Sequence, residues 1–293
     1  MGFLRLQWII SVFLFSGVCS ALSSESHVFK DFKEFHDISK YQMVDVRSRK
    51  AYERAHLKGS LWIDIGGFDS PNPAFRAQVG SPFHIQSFLR ETGLRGGNPV
   101  LIIGESIRSF GEDGRLYWIL DRFTDLEVMI LNGGFQELED SLSPEHFEKG
   151  PGAEGALDGH GIEISVRKDI PVFGFEDLNR RELIKIDVRT LAEFMGATPF
   201  GSDRGGHIPG AAWLPWHSFF DERGRVKPEP VEEVLKKIGG RQPLVYCTAG
   251  YRSALVYAVL KQWGLKPINY DGSWYDYASR ISPSTMKENA GTQ

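Results

Sequence analysis

The chain has 293 residues, of which 41% are hydrophobic and 25% are charged. This length and composition are typical of a globular protein with room for two domains. Because the formal net charge is −4, the sequence lacks the basic excess that attracts nucleic acid or anionic lipid. We therefore expect no nucleic-acid partner.

Residues 1–21 have the pattern of a signal peptide. Arg5 precedes an apolar run from Trp8 to Val18, which is shorter than the roughly 20 residues needed to cross a bilayer. Small residues permit cleavage after Ser20 or Ala21. We expect an exported protein with no membrane attachment after cleavage, and an uncleaved anchor is the alternative.

Cleavage also changes the cysteine content. The chain has two cysteines, Cys19 and Cys247, and cleavage leaves only Cys247. An intramolecular disulfide is then impossible. Because a lone thiol is readily oxidised in an oxidising compartment, its presence favours a functional role for Cys247.

The region from residue 27 to 142 alternates apolar, β-prone runs with helical patterns. The predicted elements are helix 29–37, strand 43–47, helix 48–55, turn 56–60, strand 61–63, helix 81–90, strand 100–103, helix 115–123, strand 128–131 and helix 135–141. Such alternation predicts an α/β fold with a parallel sheet covered by helices on both faces. A segment rich in Pro, Gly and acidic residues, 143–161, reads as a linker.

The same order of elements returns in residues 162–285, which indicates an internal repeat. Asp45-Val46-Arg47 recurs as Asp187-Val188-Arg189, and the strand end Ile103-Gly104 recurs as Tyr246-Cys247. The offset is about 140 residues, so the chain contains two copies of one unit. The first copy has Gly104 at the cysteine position and a longer segment before its helix. We predict that it is an inactive structural partner.

Cys247 lies in a predicted turn, 247–252, between a buried strand and a buried helix. The free N–H groups and the dipole of a helix start favour an anion there, and such surroundings lower a thiol pKa from about 8.5 towards roughly 3.5 to 7.5. Gly250 lets the loop curl, and Arg252 adds a cation. We predict a Cys247 thiolate nucleophile in an anion-binding loop formed by Thr248, Ala249, Gly250, Tyr251 and Arg252. The alternative is an inert, buried structural cysteine.

Several motifs together resemble the tandem-domain rhodaneses, the thiosulfate and 3-mercaptopyruvate sulfurtransferase family. The motifs are the loop 247–252, Asp187-Val188-Arg189 with Glu193-Phe194, the turn 206–211, Tyr270–Trp274, Gly114–Trp118 and Gly133–Phe135. The resemblance extends from about Phe29 to the end of the chain.

The resemblance implies two rhodanese-like domains, each a parallel sheet flanked by helices on both faces, with the site at the domain interface. It implies that Cys247 takes sulfane sulfur from a small anionic donor, thiosulfate first, and passes the persulfide sulfur to a thiol, cyanide or a protein dithiol. The alternative donors are 3-mercaptopyruvate and a persulfide. No metal or organic cofactor is implied. A tandem rhodanese with a signal peptide resembles the bacterial members of the family. We therefore expect a periplasmic location, with secretion as the alternative.

Two departures from the family pattern affect the donor. Glu193 stands where the animal enzymes carry an arginine that grips the donor anion. Thr248 and Ala249 match neither the basic pair of thiosulfate enzymes nor the Gly-Ser pair of mercaptopyruvate enzymes. Arg204, in an inserted segment, is a further candidate for anion binding.

Other signature residues are expected to be structural. Asp187 and Arg189 are predicted to pair within the fold. His207, which lies in the turn 206–211, is predicted to form a structural hydrogen bond and not to act as a base.

Two other functions remain open. One is a cysteine phosphatase or arsenate reductase, although those loops place one more residue between cysteine and arginine. The other is a non-catalytic sulfur-carrier or binding module.

Overall fold

The computed structural model describes residues 28–152, 162, 164–165 and 173–281. The predicted signal peptide lies outside these residues, as does the second part of the predicted linker, 153–161. Within the described part of the chain, every helix is too short or too polar to cross a membrane.

The strands of the first domain are β1 (Phe29–Lys30), β2 (Gln42–Asp45), β3 (His56–Leu57), β4 (Leu61–Trp62), β5 (Val100–Ile103), β6 (Val128–Leu131) and β7 (Phe147–Glu148). Five of them form a parallel sheet of order β1-β6-β5-β2-β4. The other two, β3 and β7, form a separate antiparallel pair. Its helices are α1 (Arg49–Arg54), α2 (Pro82–Glu91), α3 (Glu112–Phe123) and α4 (Phe135–Ser141).

The second domain repeats this plan with a four-stranded parallel sheet of order β11-β10-β8-β9. Its strands are β8 (Leu183–Asp187), β9 (Ala212–Trp213), β10 (Gln242–Tyr246) and β11 (Ile268–Asn269). Its helices are α5 (Leu191–Phe194), α6 (Glu229–Ile238), α7 (Tyr251–Gln262) and α8 (Ser273–Arg280).

Both faces of each sheet are covered, as predicted. Val100 and Ile102 of β5 join one core cluster, and Leu101 and Ile103 join another. All four side chains are fully buried, which is why this strand is a continuous apolar run instead of an alternating one. Strand β10 is buried on both faces in the same way.

The two domains pack through α3 and α7. A Cβ on Gly114 of α3 would lie 2.2 Å from the Cα of Leu255 in α7, so only glycine permits this close approach. The fully buried Arg115 side chain follows on α3, and its Nη1 donates to Asp271 Oδ1 of the second domain at 2.5 Å. Because α7 is enclosed by its own sheet and by α3, it is buried around nearly its whole circumference.

Several predicted element boundaries were wrong. Residues 29–37 do not form a helix: Phe29 pairs with Ile130 at the sheet edge, and a 3-10 turn (Phe32–Glu34) follows. The predicted turn 56–60 begins with strand β3. Its partner, β7, lies inside the predicted linker. In each case a pairing with a distant strand decided the local structure.

Candidate active site at Cys247

Cys247 follows β10 directly and is buried, with 1% of its surface exposed. The connecting loop is shorter than predicted, because α7 begins at Tyr251 and includes Arg252. Gly250 precedes the helix with φ +80°, and a Cβ there would lie 2.7 Å from the Asp271 carbonyl oxygen and 2.8 Å from Arg115 Nη1. Glycine is therefore required at this position by both its backbone angle and its surroundings.

The surroundings of Cys247 favour the thiolate. Burial by itself raises the pKa of the thiol, but the Arg252 charge and hydrogen bonds from Ser253 and the Ala249 N–H outweigh it, so the pKa lies below its ordinary value. The Ser253 hydroxyl lies 3.6 Å from Cys247 Sγ and 2.6 Å from Asn269 Oδ1. Cys247 thus combines a buried position with a stabilised negative charge, which is the state needed for nucleophilic attack.

Arg252 is committed to Glu193. Its Nη1 and Nη2 donate to the two carboxylate oxygens at 2.8 and 2.7 Å, and Nη2 also donates to Thr248 Oγ1 at 2.8 Å. Burial raises the pKa of Glu193, yet Arg252, Thr248 and Thr190 together lower it to about 2. Arg252 still stabilises the Cys247 thiolate electrostatically, but its charge is largely balanced before any donor arrives.

Glu193 therefore has a role that the sequence did not reveal. Thr190 caps the short helix α5 and donates its backbone N–H and its hydroxyl to Glu193 Oε2 at 3.1 and 2.8 Å. Thr248 donates its hydroxyl to the other oxygen at 2.6 Å. The Glu193 carboxylate is thus a buried counter-ion for Arg252.

The three residues predicted to be structural make contacts with the fold around the loop. Asp187 and Arg189 form a buried ion pair at 2.6 Å, and Arg189 also donates to the Gly206 carbonyl at 2.6 Å. His207 stacks on Phe194 with ring centroids 3.8 Å apart, and its Nδ1 lies 3.0 Å from the Phe194 carbonyl oxygen. These contacts hold α5 and the inserted segment beside the loop.

Arg204 is not brought to the site. Its guanidinium donates to the carbonyl of Ile281, and it is absent from the described residues that line the cavity above Cys247.

That cavity has a volume of about 260 Å³. The residues lining it are Phe110, Glu112, Phe200, Cys247, Thr248, Ala249, Tyr251, Arg252 and Tyr275. Four of the predicted loop residues are among them, while Gly250 acts through the backbone.

The first domain contributes to this cavity. Phe110 and Glu112 come from the segment that replaces the first domain's own loop, and Phe110 meets Phe200 edge-on at 5.8 Å between centroids. Phe200 is fixed in turn, because its carbonyl accepts hydrogen bonds from Tyr275 and from Arg76 of the first domain. The sequence signals for this contribution were the unusual length of the segment 105–114 and the domain-interface site that the family resemblance implied.

The equivalent position in the first domain is filled. A Cβ on Gly104 would lie 2.6 Å from Asp113 Cβ. The Asp113 carboxylate accepts backbone N–H groups of Ser106 and Gly114 at 3.2 and 2.9 Å. Burial raises its pKa to about 6. The first domain thus keeps a buried carboxylate where the second keeps a thiol.

A buried thiol of lowered pKa at a helix start, set between two copies of one α/β unit, defines a cysteine-dependent group-transfer site. The family model of the Rhodanese-like domain matches residues 28–141 and again 176–280. The chain therefore belongs to the rhodanese family, which confirms the resemblance seen in its motifs.

Named relatives agree with this assignment. The chain is 26% identical over 248 residues to 3-mercaptopyruvate sulfurtransferase of Mus musculus, covering 80% of this chain and 81% of that protein. It is 26% identical over 259 residues to thiosulfate sulfurtransferase of Cricetulus griseus, covering 85% and 86%. Among solved structures, 3-mercaptopyruvate sulfurtransferase from Leishmania major matches with a TM-score of 0.71 at 20% identity, over 91% of this chain and 78% of that one.

Proposed function

We propose that this rhodanese is a sulfurtransferase that carries sulfane sulfur as a persulfide on Cys247. The observation that carries the proposal is the buried Cys247 thiol, whose pKa is lowered by Arg252 and by the hydrogen bonds of its loop. The relatives named above are thiosulfate and 3-mercaptopyruvate sulfurtransferases, and both compounds are candidate donors.

The first half-reaction loads the enzyme. With thiosulfate, the Cys247 thiolate attacks the outer sulfur, the S–S bond breaks, sulfite leaves with the bonding electron pair, and Cys247 becomes a persulfide anion. With 3-mercaptopyruvate, the thiolate attacks the thiol sulfur and the C–S bond breaks. Pyruvate then leaves as its enolate with the bonding electron pair and takes up a proton. No general base is required in this proposal, because Arg252 and the hydrogen bonds of the loop lower the pKa of Cys247 and favour its thiolate form.

The second half-reaction unloads it. A thiophile attacks the outer sulfur of the persulfide, the S–S bond to Cys247 breaks, and the thiolate returns. The natural acceptor is proposed to be a small thiol or a protein dithiol, and cyanide serves in the assay. The loop N–H groups and the Ser253 hydroxyl hold the negative charge on Cys247 in both states.

We also propose that the protein is exported to the periplasm. The support is Arg5 followed by the short apolar run from Trp8 to Val18. Sequencing the N-terminus of protein recovered from the periplasm tests this, with a start at Ala21 or Leu22 expected. An intact Met1 in the cytoplasm would contradict it.

Initial-rate kinetics test the catalytic proposal. Sulfite release is measured over a grid of thiosulfate and cyanide concentrations, and the same grid is repeated with 3-mercaptopyruvate as donor and pyruvate as the measured product. Parallel double-reciprocal lines are expected for at least one donor, because the two substrates react with different enzyme forms. Sulfur loading without steady turnover would instead support a sulfur carrier, and failure of all donors would return the phosphatase function to consideration.

A further inference from the structure

The cavity above Cys247 has features that select among sulfur donors. Four aromatic side chains form much of its lining: Phe110, Phe200, Tyr251 and Tyr275. Its volume of about 260 Å³ is near the lower end of cavities that hold small organic ligands. An inorganic anion such as thiosulfate has no apolar part to place against these rings.

The charges around the cavity do not suit a dianion. Apart from Cys247, the charged side chains among its described lining residues are Glu112 and Arg252. Arg252 is paired with the Glu193 carboxylate through two hydrogen bonds. Arg76 lines the neighbouring groove behind Tyr275 instead, where it stacks on that ring at 3.9 Å. Within the described part of the chain, the cavity lining therefore offers a donor with two negative charges no cation that is free of a carboxylate partner.

Glu112 adds a negative charge at the edge of the cavity and also fixes the residue beside it. Its Oε2 accepts the backbone N–H of Phe110 at 3.0 Å, and its Oε1 accepts the Ser109 hydroxyl at 2.9 Å. These bonds hold the first domain's segment so that Phe110 meets Phe200 across the opening. One residue thus supplies both the repulsive charge and the support for the aromatic edge.

We propose that the inactive first domain sets donor specificity, through Phe110 and Glu112, in favour of a small organic persulfide over thiosulfate. This inference rests on the proposed sulfur-transfer function. The carbon body of the donor packs against Phe110 and Phe200, and its terminal sulfur reaches Cys247. The Cys247 thiolate attacks the outer sulfur of R–S–SH, the donor S–S bond breaks, R–S⁻ leaves with the electron pair, and Cys247–S–SH remains.

Three stable sulfur donors distinguish the effect of the donor's organic group from the effect of its net charge. Thiosulfate is a dianion with no organic body, methanethiosulfonate is a monoanion with a small one, and benzenethiosulfonate is a monoanion with an aromatic one. All three transfer their outer sulfur to a thiolate. The first readout is loading of Cys247 by mass spectrometry. The second is kcat/KM for each donor with cyanide as acceptor.

The Phe110→Ala variant tests the aromatic edge. We expect kcat/KM for benzenethiosulfonate to fall about five- to tenfold, with less than about a twofold change for the other two donors. Phe110 is 55% exposed, so its truncation should leave folding intact. Phe83→Ala is the matched control, since Phe83 is an exposed phenylalanine of the same domain outside the cavity lining.

The Glu112→Gln variant and a titration of ionic strength test whether the Glu112 carboxylate repels thiosulfate. We expect the variant to raise kcat/KM for thiosulfate by about three- to tenfold relative to methanethiosulfonate. In the wild type, added salt should raise kcat/KM for thiosulfate more than for the monoanions, because it screens repulsion. A merely loosened loop in Glu112→Gln would lower all three values and would not change the salt dependence.

Two results would overturn the proposal. One is an equal loss for all donors in Phe110→Ala. The other is a thiosulfate rate that falls with salt and is unaffected by Glu112→Gln, because that result requires an attractive cationic site. If none of the three donors loads Cys247 but 3-mercaptopyruvate does, the specificity proposal is wrong and the sulfur-transfer function stands. If 3-mercaptopyruvate and an organic persulfide also fail to load Cys247, the sulfur-transfer function itself is wrong and the specificity proposal falls with it.

Discussion

The two domains share their supporting contacts and differ at the loop. Asp45 and Arg47 pair at 2.7 Å in the first domain, as Asp187 and Arg189 do in the second. In both, an indole N–H donates to the carbonyl of that arginine, from Trp62 at 2.8 Å and from Trp213 at 3.0 Å.

The histidine of each domain is equivalent as well. His56 stacks on Tyr52 and His207 on Phe194, both with ring centroids 3.8 Å apart. Because the copy without a nucleophile retains these contacts, they serve the fold and not the chemistry. The catalytic difference is confined to Cys247 and its loop. The equivalent place in the first domain is occupied by Gly104 and the Asp113 side chain.

The most demanding test of this comparison moves the thiol to the first domain. In a Cys247→Ser background, we expect Gly104→Cys to restore no sulfur transfer, because the new Cβ would lie 2.6 Å from Asp113 Cβ and the site already holds a carboxylate. Overpacking should also lower the free energy of unfolding by about 1–3 kcal/mol. Sulfite release measures the first effect and urea denaturation the second. Activity in the double variant would show that the first domain is only missing its cysteine.

Substituting the equivalent aspartates, Asp45 and Asp187, compares the contribution of the two buried ion pairs to stability. Asp45→Ala and Asp187→Ala each leave a buried arginine unpaired, and we expect each to lower the free energy of unfolding by about 3–5 kcal/mol. Denaturant titration measures both. If Asp187→Ala abolished activity with the stability unchanged, the pair would have a catalytic role that its counterpart lacks.

The buried carboxylate of the first domain predicts a pH dependence. Asp113 has a pKa of about 6 in the folded protein against an ordinary 3.8, so the folded state binds a proton more tightly. Stability should therefore rise as the pH falls from 7 towards 4, by about 2–3 kcal/mol. Asp113→Asn should remove this rise.

Unfolding measured at pH 7 and pH 4.5 for both proteins checks the prediction, with Asp125→Asn as an exposed control. The Glu193 contribution has the opposite sign. Its folded pKa is lowered to about 2 from 4.5, so that stability is present above about 4.5 and is lost below it. An identical pH profile in Asp113→Asn and wild type would contradict the account of Asp113.

The smallest expected effect is at Ser253. Its hydrogen bond lowers the pKa of Cys247, so Ser253→Ala should raise that pKa by less than about one unit. The pH dependence of the iodoacetamide reaction rate measures it, with Ser279→Ala as an exposed control. A fall in the pKa would mean that the Ser253 proton is committed to Asn269 alone.

Much of this fold could be predicted because its determinants are local in the sequence. Apolar runs predicted the central strands, the predicted helix 81–90 agrees closely with α2, which Ser81 caps, and the repeat predicted the second domain. The cysteine loop was predicted because a strand, a glycine and a helix follow one another there.

The contacts that sequence reasoning missed all join distant segments. Edge strand β1 and the β3–β7 pair depend on partners about a hundred residues away. Glu193 could not be paired with Arg252 from spacing, and the contribution of Phe110 and Glu112 to the cavity depends on how α3 packs on α7. Charge pairing and domain packing are properties of the tertiary structure.

The central claim is that Cys247 alone carries the transferred sulfur. Intact mass of the purified protein, before and after incubation with thiosulfate, 3-mercaptopyruvate or an organic persulfide, tests it most directly. We predict a gain of one sulfur atom on the wild type, removed by cyanide, and no gain on Cys247→Ser. A wild type that gains no sulfur from any of these donors, or a Cys247→Ser variant that gains it, would contradict the account.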